Sequence, residues 1–417
     1  MKFGFGIFGV LIFLSLLMLT SLSFAASEEL ANIQAAIDTK GALWTPGESW
    51  VTRLSPQERR NLLGEKTLEL GILEPKTTIP PRAFGYPSAI DWRNKDGYNW
   101  VTSIKDQQSC GSCVAFGAVA TLESLARIEP NQPDLDIDLS EMHLFNCGGG
   151  SCSYGWTNSS ACSYLKNSGV PDEACWPYQP VDKNCARNTC PDWQSRAVKI
   201  TSYGAISGIE AHKTYVAIAP VLVAFYVYTD FFYYSDGIYE HTWGSLEGGH
   251  AVSIVGYDTT GPVPYWIVKN SWGSSWGEAG FFKIKMGECN IETYSSYWMS
   301  GAILPLPSLS VSLTPDTTVV PRGGTLGYTV KFTNNTNSTQ TFKFWANMTL
   351  PNGRIFPRGG TLFDPRTITL PPYGSSTKHR SQRILTNAPL GDYTYNAYVG
   401  PYPTVWSEDH FDFTVVE

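Results

Sequence analysis

The segment KDQQSCGSCVAF, residues 105–116, offers the first candidate chemistry. Two cysteines three positions apart could bind a metal, exchange electrons, end a disulfide or supply a nucleophile. Cys113 begins an apolar stretch with helical spacing, and the start of a helix stabilises a thiolate through its unpaired N–H groups. Cys113 is therefore a candidate nucleophile, which requires a base, a group that orients the base and donors for an oxyanion.

Six histidines are available to act as the base. His250 enters a strand-like run through a Gly-Gly turn in EGGHAVSIVGY, so its side chain could reach into a cleft. A packed core histidine is the competing interpretation of this position. His143 follows LSEM on an apparent helix and is expected to be packed or solvated. His379 and His410 lie in a cysteine-free C-terminal region and are expected at the surface.

Three motifs together resemble those of the papain family of cysteine proteases. QSCGSCVAF is similar to the family's cysteine signature, GGHAVSIVGY to its histidine motif and YWIVKNSWGSSWGEAGFFKI to its asparagine motif. The histidine and asparagine follow the cysteine by roughly 140 and 160 residues, near the roughly 130–150 expected downstream of such a cysteine. The resemblance implies these roles: Cys113 as nucleophile, His250 as base, Asn270 as the group that orients it, Gln107 as oxyanion donor and Trp272 as a shield from water.

The implied reaction is hydrolysis of a peptide bond through a covalent acyl-enzyme, without a metal ion or a cofactor. The thiolate attacks the carbonyl, the imidazolium protonates the leaving amine, and water releases the acyl group. Family position implies a set of residues that bind the substrate: Gly155, Ala224, Ala251, Trp272 and Trp276, with Tyr294 at the floor of a subsite. We expect that subsite, which takes the second residue before the scissile bond, to prefer a bulky apolar or aromatic side chain.

A prosegment is implied by GALWTPGESW and RRNLLG, which resemble the short prosegment of cathepsin B-like enzymes. Trp44 and Gly47 match its Trp-x-x-Gly pattern. The resemblance implies a zymogen in which this segment covers the cleft as an intramolecular inhibitor, and a disordered linker is the alternative. No long His-His insertion follows Cys152, so the carboxydipeptidase loop of cathepsin B is absent, which favours endopeptidase action.

Two positions depart from the family's pattern. Val114 stands where an aromatic residue usually follows the nucleophile, and Tyr154 stands where a glycine usually precedes Gly155. Neither change removes a group that transfers a proton. We therefore expect them to affect catalytic rate and specificity more than the class of reaction.

Nine cysteines leave one over, and the nucleophile accounts for the odd thiol. The resemblance implies the disulfides Cys110–Cys152 and Cys147–Cys185. Cys175 and Cys190 flank one loop and are expected to pair with each other. Cys162 and Cys289 remain, either paired or free.

The same residues are compatible with three other kinds of site. Cys110, Cys113, Cys147 and Cys152 have spacings compatible with zinc, but an exported chain with glutamine, histidine and asparagine motifs disfavours that site. A thioredoxin-like redox pair would require a βαβ context, which is not evident. GSSWG matches a serine nucleophile elbow at Ser275, but a strand-like run follows it where that elbow requires a helix.

The elements around the motifs predict how the side chains are positioned. Residues 112–128 have the apolar spacing of a helix, and later segments such as APVLVAFYVY, HAVSIVGYD and GFFKIKM are strand-like. A helical part followed by antiparallel strands is an α+β arrangement, and the resemblance implies a papain-like fold of a helical lobe and a β lobe. After LPLPSLS, short strands with regular turn signals predict an all-β, immunoglobulin-like sandwich.

At the N-terminus, Lys2 is followed by a long apolar stretch that ends in a Ser-x-Ala site, which predicts a signal peptide over residues 1–25. The predicted segments after it are a prosegment over 26–82, a peptidase domain over 83–303 and an accessory sandwich over 304–417. The protein would be secreted or extracytoplasmic, and membrane-anchored if the leader is not cleaved. The net charge of −7 argues against nucleic acid as a partner. Peptides or proteins are the expected substrates. The alternative function is a catalytically weak homologue that binds a polymer or cell surface through its sandwich.

Overall fold

The structure is a computed structural model that describes residues 27–66, 85–305, 309–336 and 338–417. The predicted signal peptide lies outside the described residues, as does most of the segment that would join prosegment to peptidase. The chain divides into two compact units, with the division between Leu304 and Pro305. In the described part of the chain, no helix is long and apolar enough to span a membrane.

The N-terminal segment of the first unit is folded onto the rest of that unit. It contains helix α1 over residues 27–40, strand β1 over Trp44–Pro46 and helix α2 over Pro56–Arg60. Helix α2 begins at a capping box, because Ser55 accepts the Glu58 N–H and the Glu58 carboxylate accepts the Ser55 N–H. Ile33 and Ile37 are buried on one face of α1, as expected from their helical spacing.

The helical part of the first unit is built around helix α3, Cys113–Ile128, which is buried along nearly its whole length. Smaller helices pack around it: α4 Glu141–Gly148, α5 Asn158–Asn167, α6 Cys185–Asn188 and α7 Trp193–Arg196. Ser140 and Thr157 cap α4 and α5 by accepting backbone N–H groups of the first turn. Gly149 ends α4 in the left-handed conformation, with φ +100°, that glycine adopts without a Cβ clash.

A nine-stranded sheet forms the other part of the first unit, with helix α8 over Ile209–Val216 beside it. Its strands, besides β1, are β2 Ala89–Asp91, β3 Lys199–Ala205, β4 Val221–Tyr228, β5 Tyr234–Tyr239, β6 Leu246–Asp258, β7 Tyr265–Lys269, β8 Phe281–Lys285 and β9 Ser295–Ile303. The order is β1-β5-β8-β7-β6-β4-β9-β3, with β2 paired to β6. All neighbours are antiparallel except β5 and β8, so the α+β expectation describes this unit.

The second unit is all-β. One sheet has three strands: β10 Leu309–Pro315, β12 Thr325–Asn334 and β16 Ser375–Arg383. The other sheet has six strands: β11 Val319–Pro321, β13 Gln340–Thr349, β14 Ile355–Phe356, β15 Arg366–Leu370, β17 Gly391–Gly400 and β18 Ser407–Val416. Residues of both sheets contribute to one apolar core. Strand alternation places Phe342, Phe344 and Met348 in it. The immunoglobulin-like assignment stays a prediction.

Candidate active site

The candidate nucleophile lies where the helical part meets the sheet. Cys113 is the first residue of α3 and is completely buried. Its Sγ accepts the N–H groups of Ala251, at 3.4 Å, and Gly64, at 3.3 Å. Because Ala251 follows His250 in β6, the start of the helix lies directly against the strand that carries the candidate base.

The candidate base is paired with the candidate orienting residue. His250 Nε2 lies 2.8 Å from Asn270 Oδ1, and Asn270 directly follows β7, the neighbour of β6 in the sheet. The same Oδ1 accepts the Ser271 N–H at 2.8 Å, which orients the amide with its oxygen toward the imidazole. Nε2 is therefore the protonated nitrogen of the neutral ring, and Nδ1 is left to exchange a proton with the thiol.

Trp272 covers the histidine. Its ring centroid lies 4.7 Å from that of His250, and its side chain is completely buried. A large apolar ring in this position excludes water from the bond between His250 and Asn270, which strengthens that bond electrostatically.

Gln107 is oriented for the role of an oxyanion donor. Its Oε1 accepts the Ser271 hydroxyl at 2.7 Å, so its NH₂ group faces the opposite way. That Nε2 donates to the Cys110 carbonyl at 2.8 Å and to the Leu62 carbonyl at 3.0 Å. One of the two carbonyls that the Gln107 NH₂ group holds, that of Leu62, thus belongs to the N-terminal segment.

The N-terminal segment passes directly over the nucleophile. Gly64 accepts the Trp156 N–H at 2.7 Å, Lys66 donates to the Trp156 carbonyl at 3.0 Å, and Glu65 donates to the Gly249 carbonyl at 3.1 Å. A Cβ on Gly64 would lie 1.8 Å from the Gly111 oxygen, so the main chain approaches as closely as only glycine allows. The main chain of the N-terminal segment therefore bonds to both walls of the cleft, at Trp156 and at Gly249, and blocks it.

This burial sets the protonation of the reacting pair. Burial raises the pKa of the Cys113 thiol to about 11, and this effect outweighs the hydrogen bonds from the Ala251 and Gly64 N–H groups, which lower the pKa. Burial also lowers the pKa of His250 to about 4, against the bond to Asn270 that raises it. Burial thus disfavours the charged forms of both groups in this covered state and opposes a thiolate–imidazolium pair.

The residues expected to bind substrate occupy different environments. Ala224 and Ala251 are directly paired in β4 and β6 and are fully buried. The Tyr294 hydroxyl lies 3.5 Å from the Glu65 carbonyl, beside the covering segment. Trp276 is completely buried in an aromatic core, where its Nε1 donates to the Phe232 carbonyl, so it supports Trp272 from behind rather than facing the cleft.

Gly155 approaches the covering segment without a hydrogen bond to it. Its own N–H and carbonyl bond to Ser151, and a Cβ at Gly155 would lie 2.0 Å from the Gly64 oxygen. The backbone that pairs with the segment is that of Trp156, one residue further along.

The two departures from the family's pattern face in opposite directions. Val114 is completely buried in the apolar core of the helical part, where it packs behind the nucleophile. Tyr154 is 80% exposed, next to Gly155 at the edge of the cleft. Val114 therefore alters the packing of the helix, whereas Tyr154 alters the surface that an incoming chain meets.

Three disulfides are present, Cys110–Cys152, Cys147–Cys185 and Cys175–Cys190, which are the three pairs named above. Cys162 and Cys289 form no disulfide with each other and lie in separate parts of the unit. The first bridge uses two of the four sulfurs of the alternative zinc site. His143 lies near Cys147 and Cys185, but their sulfurs are bonded to each other.

The other histidines singled out from the sequence lie in different environments. His143 is buried against aromatic rings, with its centroid 4.6 Å from that of Trp193. His379 and His410 are exposed in the second unit. Only His250 is bonded to a group that orients it beside Cys113 in the described residues.

Sequence reasoning missed Ser271, although it lies between two residues that were singled out. Its hydroxyl positions the Gln107 amide and its N–H positions the Asn270 amide, so it links the candidate oxyanion donor to the candidate orienting group. The available signal was its place in KNSWG, but a serine inside a motif does not disclose its hydrogen-bond partners.

Known proteins are similar to this chain in sequence. Residues 86–299 match the family described as papain family cysteine protease. The chain is 36% identical over 220 residues to cathepsin B-like CP3 of Giardia intestinalis, covering 49% of this chain and 72% of that protein. It is 38% identical over 213 residues to a cathepsin L-like proteinase of Fasciola hepatica, covering 49% and 62%.

Solved precursor structures are also similar. The procathepsin B S9 of Trypanosoma congolense superposes with a TM-score of 0.56 at 26% identity, covering 65% of this chain and 97% of that one. A recombinant stem bromelain precursor has a TM-score of 0.55 at 27% identity, covering 67% and 91%.

Proposed function

Because the chain belongs to the papain family of cysteine proteases, we propose that it is a secreted endopeptidase, made as a zymogen, that acts through Cys113, His250 and Asn270. The observation that carries the proposal is the joint placement of three groups. A thiol lies at a helix start, an imidazole is held by an oriented amide, and the Gln107 NH₂ group already holds a carbonyl oxygen.

The proposed reaction begins when the N-terminal segment leaves the cleft. Water then reaches Cys113 and His250, burial no longer disfavours their charged forms, and a proton passes from thiol to imidazole. The thiolate attacks a peptide carbonyl, whose oxyanion is stabilised by the Gln107 side chain and the Cys113 N–H. His250 protonates the leaving amine and then activates the water that hydrolyses the acyl-enzyme.

The zymogen proposal rests on contacts that the N-terminal segment makes beyond the cleft. Tyr233, which directly precedes β5, donates its hydroxyl to the Glu29 carboxylate at 2.5 Å and accepts from the buried Arg59 guanidinium at 3.3 Å. Ion pairs also join Lys40 to Glu240 and Arg60 to Glu247 across to the sheet. An inhibitory segment anchored in this way leaves only after cleavage or loss of several contacts, and the proposed mature enzyme begins near residue 83.

Substrate selection is proposed to follow the shape of the cleft. Ala224 and Ala251 are small, and Tyr294 lies beside the main chain that fills the cleft, so a bulky apolar or aromatic side chain would fit there. Export is supported by three disulfides, which persist in oxidising compartments. The second unit is proposed to be an immunoglobulin-like accessory domain that binds a polymer or cell surface.

A library of peptides blocked at both ends tests the endopeptidase proposal. The activated enzyme should cleave internally, and most rapidly where the second residue before the scissile bond is large and apolar or aromatic. A matched library with free termini should be cleaved at the same internal bonds. Cleavage only of peptides with a free terminus would refute endopeptidase action. Fastest cleavage of peptides whose second residue before the scissile bond is basic would refute the predicted preference.

A further inference from the structure

A small cavity lies directly behind the candidate active site, on the side of Asn270 away from His250. Its volume is about 10 Å³, roughly the space that one water molecule occupies. Apolar groups of α3 form one wall, and Asn270 and Ser271 form another. Four charged side chains complete the lining: Lys105, Glu123, Glu141 and Lys269. A cavity of this size with polar walls is suited to a bound water rather than to a substrate.

Two buried polar atoms of the lining residues have no hydrogen-bond partner among the residues that the structure describes. They are Asn270 Nδ2, a donor, and Glu141 Oε2, an acceptor when ionised. The Asn270 amide cannot rotate to satisfy its NH₂ group, because Oδ1 is held by both His250 and Ser271. Buried polar atoms in folded proteins are nearly always hydrogen-bonded, so each of these atoms calls for a partner.

The other oxygen of Glu141 is already engaged. Oε1 lies 2.8 Å from Lys105 Nζ, which also pairs with Glu123 at 3.2 Å and Asp138 at 2.6 Å. Oε2 is therefore the oxygen of Glu141 that remains available to the cavity. A water that accepts from Asn270 and donates to ionised Glu141 would satisfy both atoms at once. Because burial raises the pKa of Glu141 to about 8, against the Lys105 ammonium that lowers it, this bridge is complete above that pH and is tested at pH 9.

We propose that one water in this cavity bridges Asn270 Nδ2 to Glu141 Oε2, and that Glu141 is thereby a positioning residue for the histidine. An acceptor on the NH₂ side of the amide polarises it and strengthens its oxygen as the acceptor of the His250 N–H. It also fixes the amide against rotation when the imidazole becomes charged. This inference rests on the proposed peptidase function, because it assigns Glu141 a role in orienting that enzyme's base.

Glu141→Gln tests the bridge with little change in shape. The Gln oxygen keeps the contact with Lys105, so an NH₂ group replaces Oε2 and the atom facing the cavity changes from acceptor to donor. We expect kcat to fall about fivefold with KM within twofold, because only a water-mediated bond to an orienting group is lost. Glu173→Gln is the matched control, since Glu173 belongs to the same buried acidic cluster but does not line the cavity.

A double-variant cycle separates positioning from a general structural effect. In an Asn270→Ala background the bridge has no amide to act on, so Glu141→Gln should change kcat by less than twofold. An equal loss in both backgrounds, or no loss in the wild-type background, would overturn the inference. If Glu141→Gln does not fold, Glu141→Asp keeps the charge but withdraws the oxygen, and is measured in the same cycle. A wild-type enzyme that hydrolyses no peptide would instead refute the proposed function.

Discussion

Gly64→Ala should release the covering segment from the nucleophile while every candidate catalytic side chain stays in place. The added Cβ would lie 1.8 Å from the Gly111 oxygen and 2.4 Å from its carbonyl carbon. Gly111 cannot move away readily, because it follows the Cys110–Cys152 disulfide and its N–H bonds to the Cys152 carbonyl at 3.1 Å. The covering segment must therefore shift.

The contacts at stake set the magnitude. A shift at Gly64 breaks its bonds to Cys113 and Trp156 and withdraws the Leu62 carbonyl from Gln107. At about 1 kcal/mol for each of three hydrogen bonds, docking weakens by about 3 kcal/mol. The fraction of molecules with an open cleft should then rise by about 100-fold.

The rate at which iodoacetamide alkylates Cys113 in the intact zymogen measures that open fraction, provided that closing is faster than alkylation. The Cys113 peptide is quantified by mass spectrometry, because Cys162 and Cys289 also carry thiols. We expect Gly64→Ala to react about 100 times faster than wild type. Gly85→Ala is the matched control, because a Cβ there meets no atom within 4 Å. Alkylation of Gly64→Ala at the wild-type rate would show that the segment does not block the nucleophile.

Three further predictions concern the same site. Asn270→Ala should lower the kcat of the activated enzyme roughly 10- to 100-fold with little change in KM, because the imidazolium loses the acceptor at 2.8 Å that orients it. An unchanged kcat in steady-state assays would contradict that role. Ser271→Ala should lower kcat about fivefold by freeing the Gln107 amide, and an effect on KM alone would exclude this reason. Docking of the covering segment lowers the pKa of His250 to about 4, so docking weakens as pH falls from the ordinary pKa of about 6.5 toward 4. Hydrogen exchange of α1 amides in a Cys113→Ser zymogen measures this, and equal protection factors at pH 7.5 and pH 4.5 would refute it.

Local patterns predicted the parts of the site that depend on short stretches of sequence. The apolar spacing after Cys113 indicated α3, and the β-branched runs indicated β4, β6, β7 and β8, because these elements form wherever one face can be buried. The family resemblance implied the partners of Cys113, which spacing alone left open. The observed bond between His250 and Asn270 depends on the pairing of β6 with β7.

Features that depend on long-range packing were not accessible from the sequence. The contact of Gln107 with Leu62 requires the covering segment to follow one particular path, and no local pattern specifies that path. The charged residues behind the site are likewise far apart in sequence, so no local pattern singled out Glu141, which lies in the first turn of α4. Trp276 was expected to contact substrate, but aromatic packing that no motif encodes places it in the core.

Comparison of the activated wild-type enzyme with Cys113→Ala tests the central claim most directly. Both proteins are freed of the covering segment, treated with a thiol-specific peptidyl epoxide and assayed on a blocked peptide. We predict that the wild type binds one epoxide per chain at Cys113 and loses its peptide hydrolysis in proportion, whereas Cys113→Ala neither reacts nor hydrolyses. Labelling or hydrolysis that persists in Cys113→Ala would contradict the assignment of Cys113 as the nucleophile.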